Sequence, residues 1–381
     1  MTPVSRRRFL AAAGVASIAG CLDSSDTQTQ AAPSEPETAT SSENPQTDQS
    51  TTAPPPVNEI VPVAEEQLAL PMSPDDLRDE AQSGGPPKGG IPSIDDPTFV
   101  DPAAIDLLDP GDPVFGVAWG DEVKAYPQQI LVQHEIVNDE LEGTPVSVTY
   151  CPLTGTVQGF LRGDTTFGVS GRLINNNLVM YDDASDTWWP QILATSIPGP
   201  WNADPETASL REFRLIWTTW KRWQRRHPNT RVLSTETGYA KNYRREPYGS
   251  YNPREGYYDN NDRLLFPPLN TDDRYEQKTV VMCARTSVGA VAFLKDALRE
   301  HNFMEGEIGD TPVLAVYDRG LDTAYVYLNP DGTTFEHVED RVVAADGSSY
   351  APDALPLTRV HTFDAMWFAW AGYYPDTNVY G

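Results

Sequence analysis

Positive charge is what this chain has least of. It carries 28 Lys and Arg against 55 Asp and Glu, a formal net charge of −27. Such a surface repels phosphate backbones and anionic membranes, which excludes nucleic acid as a partner. It also needs salt, because self-repulsion is screened only when the Debye length falls to about 3 Å near 1 M salt. Cysteine is equally sparse: Cys21, Cys151 and Cys283 are all there is, too few for a disulfide-built scaffold. Cys283 sits in the apolar run Val280 to Ala284, which predicts a buried packing thiol rather than a bridge to Cys151. No glycine-rich phosphate loop, nucleotide fingerprint, serine elbow or zinc-protease motif occurs, nor any Asn-x-Ser/Thr acceptor. The N-terminal apolar run, Phe9 to Gly20, is 12 residues long. A spanning helix needs about 20.

That short run has flanks of its own. Ser5-Arg6-Arg7-Arg8-Phe9-Leu10 precedes it and Ile18-Ala19-Gly20-Cys21 ends it. Paired arginines, with Arg6 and Arg7 as the diagnostic residues, read as a twin-arginine export signal. Small residues before Cys21 read as a lipoprotein cleavage site. The expectation is a protein exported by the twin-arginine translocase. It would then be lipid-anchored through Cys21 at the extracellular face of the cytoplasmic membrane. Acidity with little lysine matches the composition of a haloarchaeal protein.

Residues 1–21 are therefore a signal peptide and 22–56 a disordered Ser/Thr/Pro/Glu tether without an aromatic residue to order it. A Pro/Gly-rich lead-in follows at 57–104. The body then repeats itself. Trp220-Lys221-Arg222-Trp223 with His227-Pro228-Asn229-Thr230 matches Trp367-Phe368-Ala369-Trp370 with Tyr374-Pro375-Asp376-Thr377 at identical spacing. Thr144-Pro145-Val146 leading to Tyr150 matches Thr311-Pro312-Val313 leading to Tyr317, and His134 falls on His301. These matches define two related units, 105–240 and 275–381. The segment 241–274 between them, with Tyr243, Tyr248, Tyr251, Tyr257 and Tyr258 among Gly, Pro and Asn, reads as an inserted loop.

Period-two alternation dominates each unit. Pro113 to Trp119 and Glu122 to Tyr126 flank Gly120-Asp121 as a hairpin, and Pro145 to Cys151 alternates apolar with polar residues. Gln128 to His134 follows Pro127 as two helical turns. Trp217, Trp220 and Trp223 recur at helical spacing before Pro228. The predicted class is α+β: strand-rich, mostly antiparallel sheets with short helices, in two tandem related units.

The chemistry-bearing residues lie almost wholly in the first unit. They form three motifs: His134-Glu135-Ile136-Val137-Asn138-Asp139, Tyr150-Cys151-Pro152-Leu153-Thr154-Gly155, and the run from Phe167 through Asp182. This ordered set resembles the domain of unknown function 3179 family, over about 105 to 381. The resemblance assigns no activity. It does imply a second cysteine two residues after Pro152, where this chain has Thr154.

Three readings of these residues stand. As a thiol enzyme, Cys151 is the nucleophile, His134 its base, Glu135 or Asp139 the orienting carboxylate, and Arg172 an anion holder. As a metal centre, His134 and Cys151 would ligate copper or zinc, with Glu135, Asp139 or Asp182 as further ligands. As a binding or scaffold module, Ser170, Asn175, Asn177 and Asp182 offer hydrogen bonds beside the Trp188 plate to a small ligand or protein partner. Cys151 is equally explained as a buried hydrophobe. The binding or scaffold module is the leading expectation, and the thiol- or metal-dependent enzyme its alternative.

Overall fold

The structure is a computed structural model that describes residues 56–261 and 263–381. Arg6, Arg7, Cys21 and the tether lie outside the described residues, apart from Pro56. Strands dominate and the helices are short, as the alternation predicts.

In the first half, β1 (Pro113–Trp119), β2 (Glu122–Pro127), α1 (Gln128–His134), β3 (Ile136–Leu141), β4 (Thr144–Cys151) and β5 (Thr156–Leu161) follow one another through tight turns. The long hairpin β6 (Phe167–Ile174) and β7 (Asn177–Asp182), then β8 (Trp188–Pro190), β9 (Glu212–Phe213), β10 (Ile216–Thr219), α2 (Trp220–Arg226) and β11 (Arg231–Leu233), complete it. The second half runs β12 (Val280–Thr286), β13 (Gly289–Leu294), α3 (Lys295–His301), β14 (Phe303–Ile308), β15 (Thr311–Asp318) and β16 (Thr323–Leu328). It closes with β17 (Arg359–Val360), β18 (Thr362–Met366), α4 (Trp367–Tyr373) and β19 (Asn378–Tyr380).

One sheet of the first half has the order β10-β1-β2-β11, extended by Phe99–Val100. Its counterpart has the order β18-β12-β13-β19. In both, the first two pairings are antiparallel and the last is parallel. A second pair of sheets, β9-β5-β4-β3 and β17-β16-β15-β14, also shares one order. The two halves pack reciprocally, β18 against β5 and β10 against β16. The Trp-x-x-Trp motif has a visible purpose in each: Trp223 Nε1 donates to Thr230 Oγ1 at 3.0 Å, and Trp370 Nε1 to Thr377 Oγ1 at 3.2 Å. Each bond ties a helix to the strand that pairs in parallel beyond it.

Two local expectations change. Trp217 is on strand β10, not on the helix with Trp220 and Trp223. Its helical spacing is coincidental, since Trp217 pairs with Phe115 across the sheet. The lead-in 57–104 is also more than a connector: Val57, Val61, Leu77 and Ile94 are core residues, and Gln82–Ser83 adds a strand beside β6.

The asparagine run is a hairpin turn that joins the halves. Asn175 and Asn176 take φ of 52° and 61° between β6 and β7, the left-handed pair that a two-residue turn of this twist requires. Asn175 Nδ2 donates to Ala369 O of α4 at 2.8 Å, and its Oδ1 accepts from Leu269 N at 3.0 Å. Just upstream a bulge separates Val169 from Arg172; Gly171 (φ 74°) fits there because a Cβ would lie 2.0 Å from Pro86 O. Replacing Asn175 with Ala leaves two buried groups unpaired and puts a disfavoured residue in the left-handed region. It should lower stability by roughly 2–4 kcal/mol in denaturant unfolding at fixed salt, and a loss under 1 kcal/mol would contradict this role.

Candidate functional site

Of the residues expected to bind a ligand, most are committed to the fold. Asn177 Nδ2 reaches Thr154 Oγ1 (3.1 Å) and Gln191 Oε1 (2.9 Å), and its Oδ1 accepts from Ile192 N at 2.8 Å. Ser170 Oγ donates to Val179 O across the hairpin and accepts from Arg172 N. Asp182 accepts from Ser185 N, Ser185 Oγ and Trp189 Nε1. Trp188 is 4 % exposed, in the core beneath α4. Arg172 is exposed on the far end of its strand pairing with Ser83. Ser170, Asn175, Asn177 and Asp182 correct the binding reading, since their hydrogen bonds are already made within the protein, while Trp188 is packed in the core with its Nε1 donor unpartnered.

The thiol and metal readings meet a similar obstacle. His134 closes α1 with its ring fully buried. Nδ1 lies 2.7 Å from Pro92 O, which only accepts, so Nδ1 carries the proton. Nε2 therefore accepts from Tyr243 OH at 2.8 Å. Burial pushes its pKa below the usual value. With both nitrogens engaged, the imidazole has no lone pair for Cys151 or for copper or zinc. Cys151 is 2 % exposed, with Sγ 3.5 Å from Asn176 O. Burial, and then the Glu135 carboxyl, push its thiol up to about 11, the opposite of an activated nucleophile. Cys151 and Cys283 are both free and sit in different core clusters. Asp139 is held by Lys124 Nζ (3.0 Å) and Tyr126 OH (2.6 Å) instead of orienting His134. Among the described residues no group of three or more His, Cys, Asp or Glu side chains is arranged to hold a metal ion. Thr154, where the second cysteine was expected, donates or accepts within a buried chain with Thr156 Oγ1 at 2.8 Å.

Glu135 is the exception. It caps α1 at φ 61°, a left-handed position that its counterpart Asn302 (φ 66°) fills with a more tolerant residue. Its side chain is buried, and burial alone lifts its pKa from 4.5 to about 8. A strained, buried carboxyl is an unusual group to keep beside a cysteine.

What seals this region is the segment read as an inserted loop. Tyr243 caps His134, and Tyr248, itself raised to about 12 by burial and then Glu135, adjoins Glu135 and Cys151. Tyr257 OH donates to Leu153 O at 2.8 Å. Tyr258 OH lies 3.1 Å from Tyr150 OH, which also takes Gln128 Nε2 at 2.9 Å. Glu246, from the same segment, has both carboxyl oxygens buried without a partner and a pKa raised to about 7, first by burial and then by Asp112.

Tyr251 reaches further, into a cleft of about 350 Å³ where the halves meet. Its ring is 4.6 Å from that of Trp217. Lys295 at the start of α3 pairs with Asp364 of β18 at 2.5 Å, and Arg299 with Asp322 at 2.8 Å. The Thr218 hydroxyl and Arg254 Nε also line the cleft, both buried and without a partner. No sequence motif joins these residues because they come from five separate segments of the chain. The one available signal was the density of tyrosines in 243–258.

A family model described as protein of unknown function (DUF3179) matches residues 88–377. No curated protein and no solved structure matches the chain.

Glu135 gives a pH prediction. Below about pH 4.5 its carboxyl is protonated folded or unfolded. Between there and about pH 8 the unfolded chain releases the proton while the folded chain keeps it, so stability falls as pH rises. Glu135→Gln should remove that slope and raise stability at pH 8.5 by on the order of 2–5 kcal/mol, with a smaller slope left by Glu246. Parallel stability–pH curves for the two proteins would contradict the assignment.

Proposed function

The chain belongs to the DUF3179 family, and from that premise we propose a small-ligand-binding module, exported and lipid-anchored at the outer face of the cytoplasmic membrane. The paired arginines Arg6 and Arg7, the short apolar run and Cys21 support export by the twin-arginine translocase and lipid attachment. The acidic composition supports a salty exterior and a haloarchaeal source. The shared order of the twin sheets supports two copies of one unit.

The observation that carries the binding reading is the cleft between the halves. Lys295 pairs with Asp364, and Arg299 with Asp322 and Asp296, so that with Arg254 the wall carries three cations and three carboxylates. That leaves little net field for a small ion. What remains at the cleft wall is an aromatic pair, half-buried Tyr251 against the largely buried Trp217, beside the unpartnered Thr218 hydroxyl and Arg254 Nε. A flat apolar plate next to lone polar groups suits a hydroxyl-rich ring. The ligand is a neutral sugar of one or two rings. The buried, base-free Cys151 supports binding over thiol chemistry.

Titrating a panel of neutral mono- and disaccharides, read by tryptophan fluorescence and calorimetry in high salt, should give saturable binding to at least one. Trp217→Ala should weaken it at least tenfold while the fold persists. A panel with no saturable member would sink the ligand class. Separately, Cys21→Ser should move the full-length protein from the membrane fraction to the medium; unchanged membrane association would refute the anchor.

A further inference from the structure

A second cavity, of about 480 Å³, lies between the ends of β1 and β5 with β9 of the first half and β16 to β18 of the second. Its wall includes Arg211, Arg214 and Arg359, with Glu212 as its carboxylate. In a chain with about twice as many acids as bases, this reverses the local balance. Glu212 is moreover already claimed: its Oε1 accepts from Arg285 Nη2 at 2.9 Å and lies 3.5 Å from His361 Nε2.

The donors outnumber their acceptors. Arg214 Nη2 donates to Thr323 Oγ1 (2.7 Å) and Ala324 O (3.2 Å), but its Nε and Nη1 are buried without an acceptor. The Arg285 side chain is 0 % exposed, and its Nε and Nη1 are in the same state. Gln158, fully buried, faces His361 Nε2 with its Oε1 at 2.8 Å, leaving its Nε2 donor unclaimed. The guanidinium carbons of Arg214 and Arg359 lie 5.9 and 5.8 Å from the Tyr325 ring centroid.

The halves also contribute matching positions here. At the spacing that places Trp220 on Trp367, Arg214 falls on His361 and Glu212 on Arg359. The reciprocal packing of β18 on β5 and β10 on β16 brings these pairs together. Burial, then neighbouring guanidinium groups, keep His361 neutral near physiological pH, with a pKa of about 4 despite Glu212.

We propose that this cavity binds a small multi-oxygen anion, held by Arg214 and Arg359 with Gln158 and Arg285 behind them. Several N–H donors around a positive pocket need an acceptor with several oxygens and a negative charge, which guanidinium groups fork onto. This site is independent of the cleft at Trp217, so either can fail without the other. An inorganic tetrahedral anion and a carboxylate share the required chemistry.

The test is calorimetric titration of the folded protein with phosphate, sulfate and acetate at constant ionic strength and pH 7. Saturable binding is expected, with a raised thermal midpoint. Arg214→Met should weaken it at least tenfold, and Arg359→Ala, a change at an exposed side chain, severalfold. Preference for phosphate and sulfate assigns the inorganic anion; acetate binding as tightly assigns a carboxylate. If Arg214→Met does not fold, Arg359→Ala decides. Overturning results are the absence of saturable binding by all three anions, or undiminished binding in the folded variants.

Discussion

Desolvation by one tyrosine-rich segment governs the chemistry of this molecule. Residues 243–258 lie over the strongest sequence motifs, and three of their five tyrosines answer a particular group beneath them: Tyr243 the His134 imidazole, Tyr257 the Leu153 carbonyl, Tyr258 the Tyr150 hydroxyl. Aromatic rings exclude water, while their hydroxyls satisfy the polar groups that would otherwise be orphaned. His134 is thereby fixed in one tautomer, and Cys151 is held as a neutral thiol. Two carboxyls, Glu135 and Glu246, are buried without such an answer, and burial lifts them to about 8 and about 7.

The second constraint is pairing of unlike halves. Their sheets share order and hydrogen-bonding sense, yet corresponding positions differ in polarity. Asn302 stands for Glu135, Asp318 for Cys151, and His301 is exposed where His134 is buried. The first half has Trp217 and Gln128 where the second has Asp364 and Lys295, and of these Trp217, Asp364 and Lys295 line the cleft. Two halves with the same strand order thus present an aromatic side and an ionic side. A cavity at such a junction presents both to one ligand, which neither half offers by itself.

Much of the fold was legible because its signals are local. The β1–β2 hairpin, α1, and the alternation of β4 each depend on residues next to one another in the chain, and the paired Trp-x-x-Trp motifs repeat at fixed spacing. Trp217 escaped because i, i+3 spacing also occurs by accident where a strand runs into a helix. The site was far less legible. His134, Cys151 and the asparagines are conspicuous residue types, but their function depends on which lone pairs remain after folding. That is settled by Pro92, Tyr243, Leu269 and Ala369, distant in sequence. Both cavities arise where segments from the two halves converge, and no single window of sequence contains either.

The accessibility of one sulfur reports how completely the tyrosine segment shuts the motif residues from water. Alkylation of Cys151 in the folded protein, followed by mass spectrometry at pH 8 in high salt, is the direct measurement. The expected rate is at least a hundredfold below that of the unfolded chain (~2.7 kcal/mol of protection), rising when Tyr248 is replaced by Ala. A native rate equal to the unfolded one would mean that the thiol is open and ionisable, and would return Cys151 to the role of nucleophile.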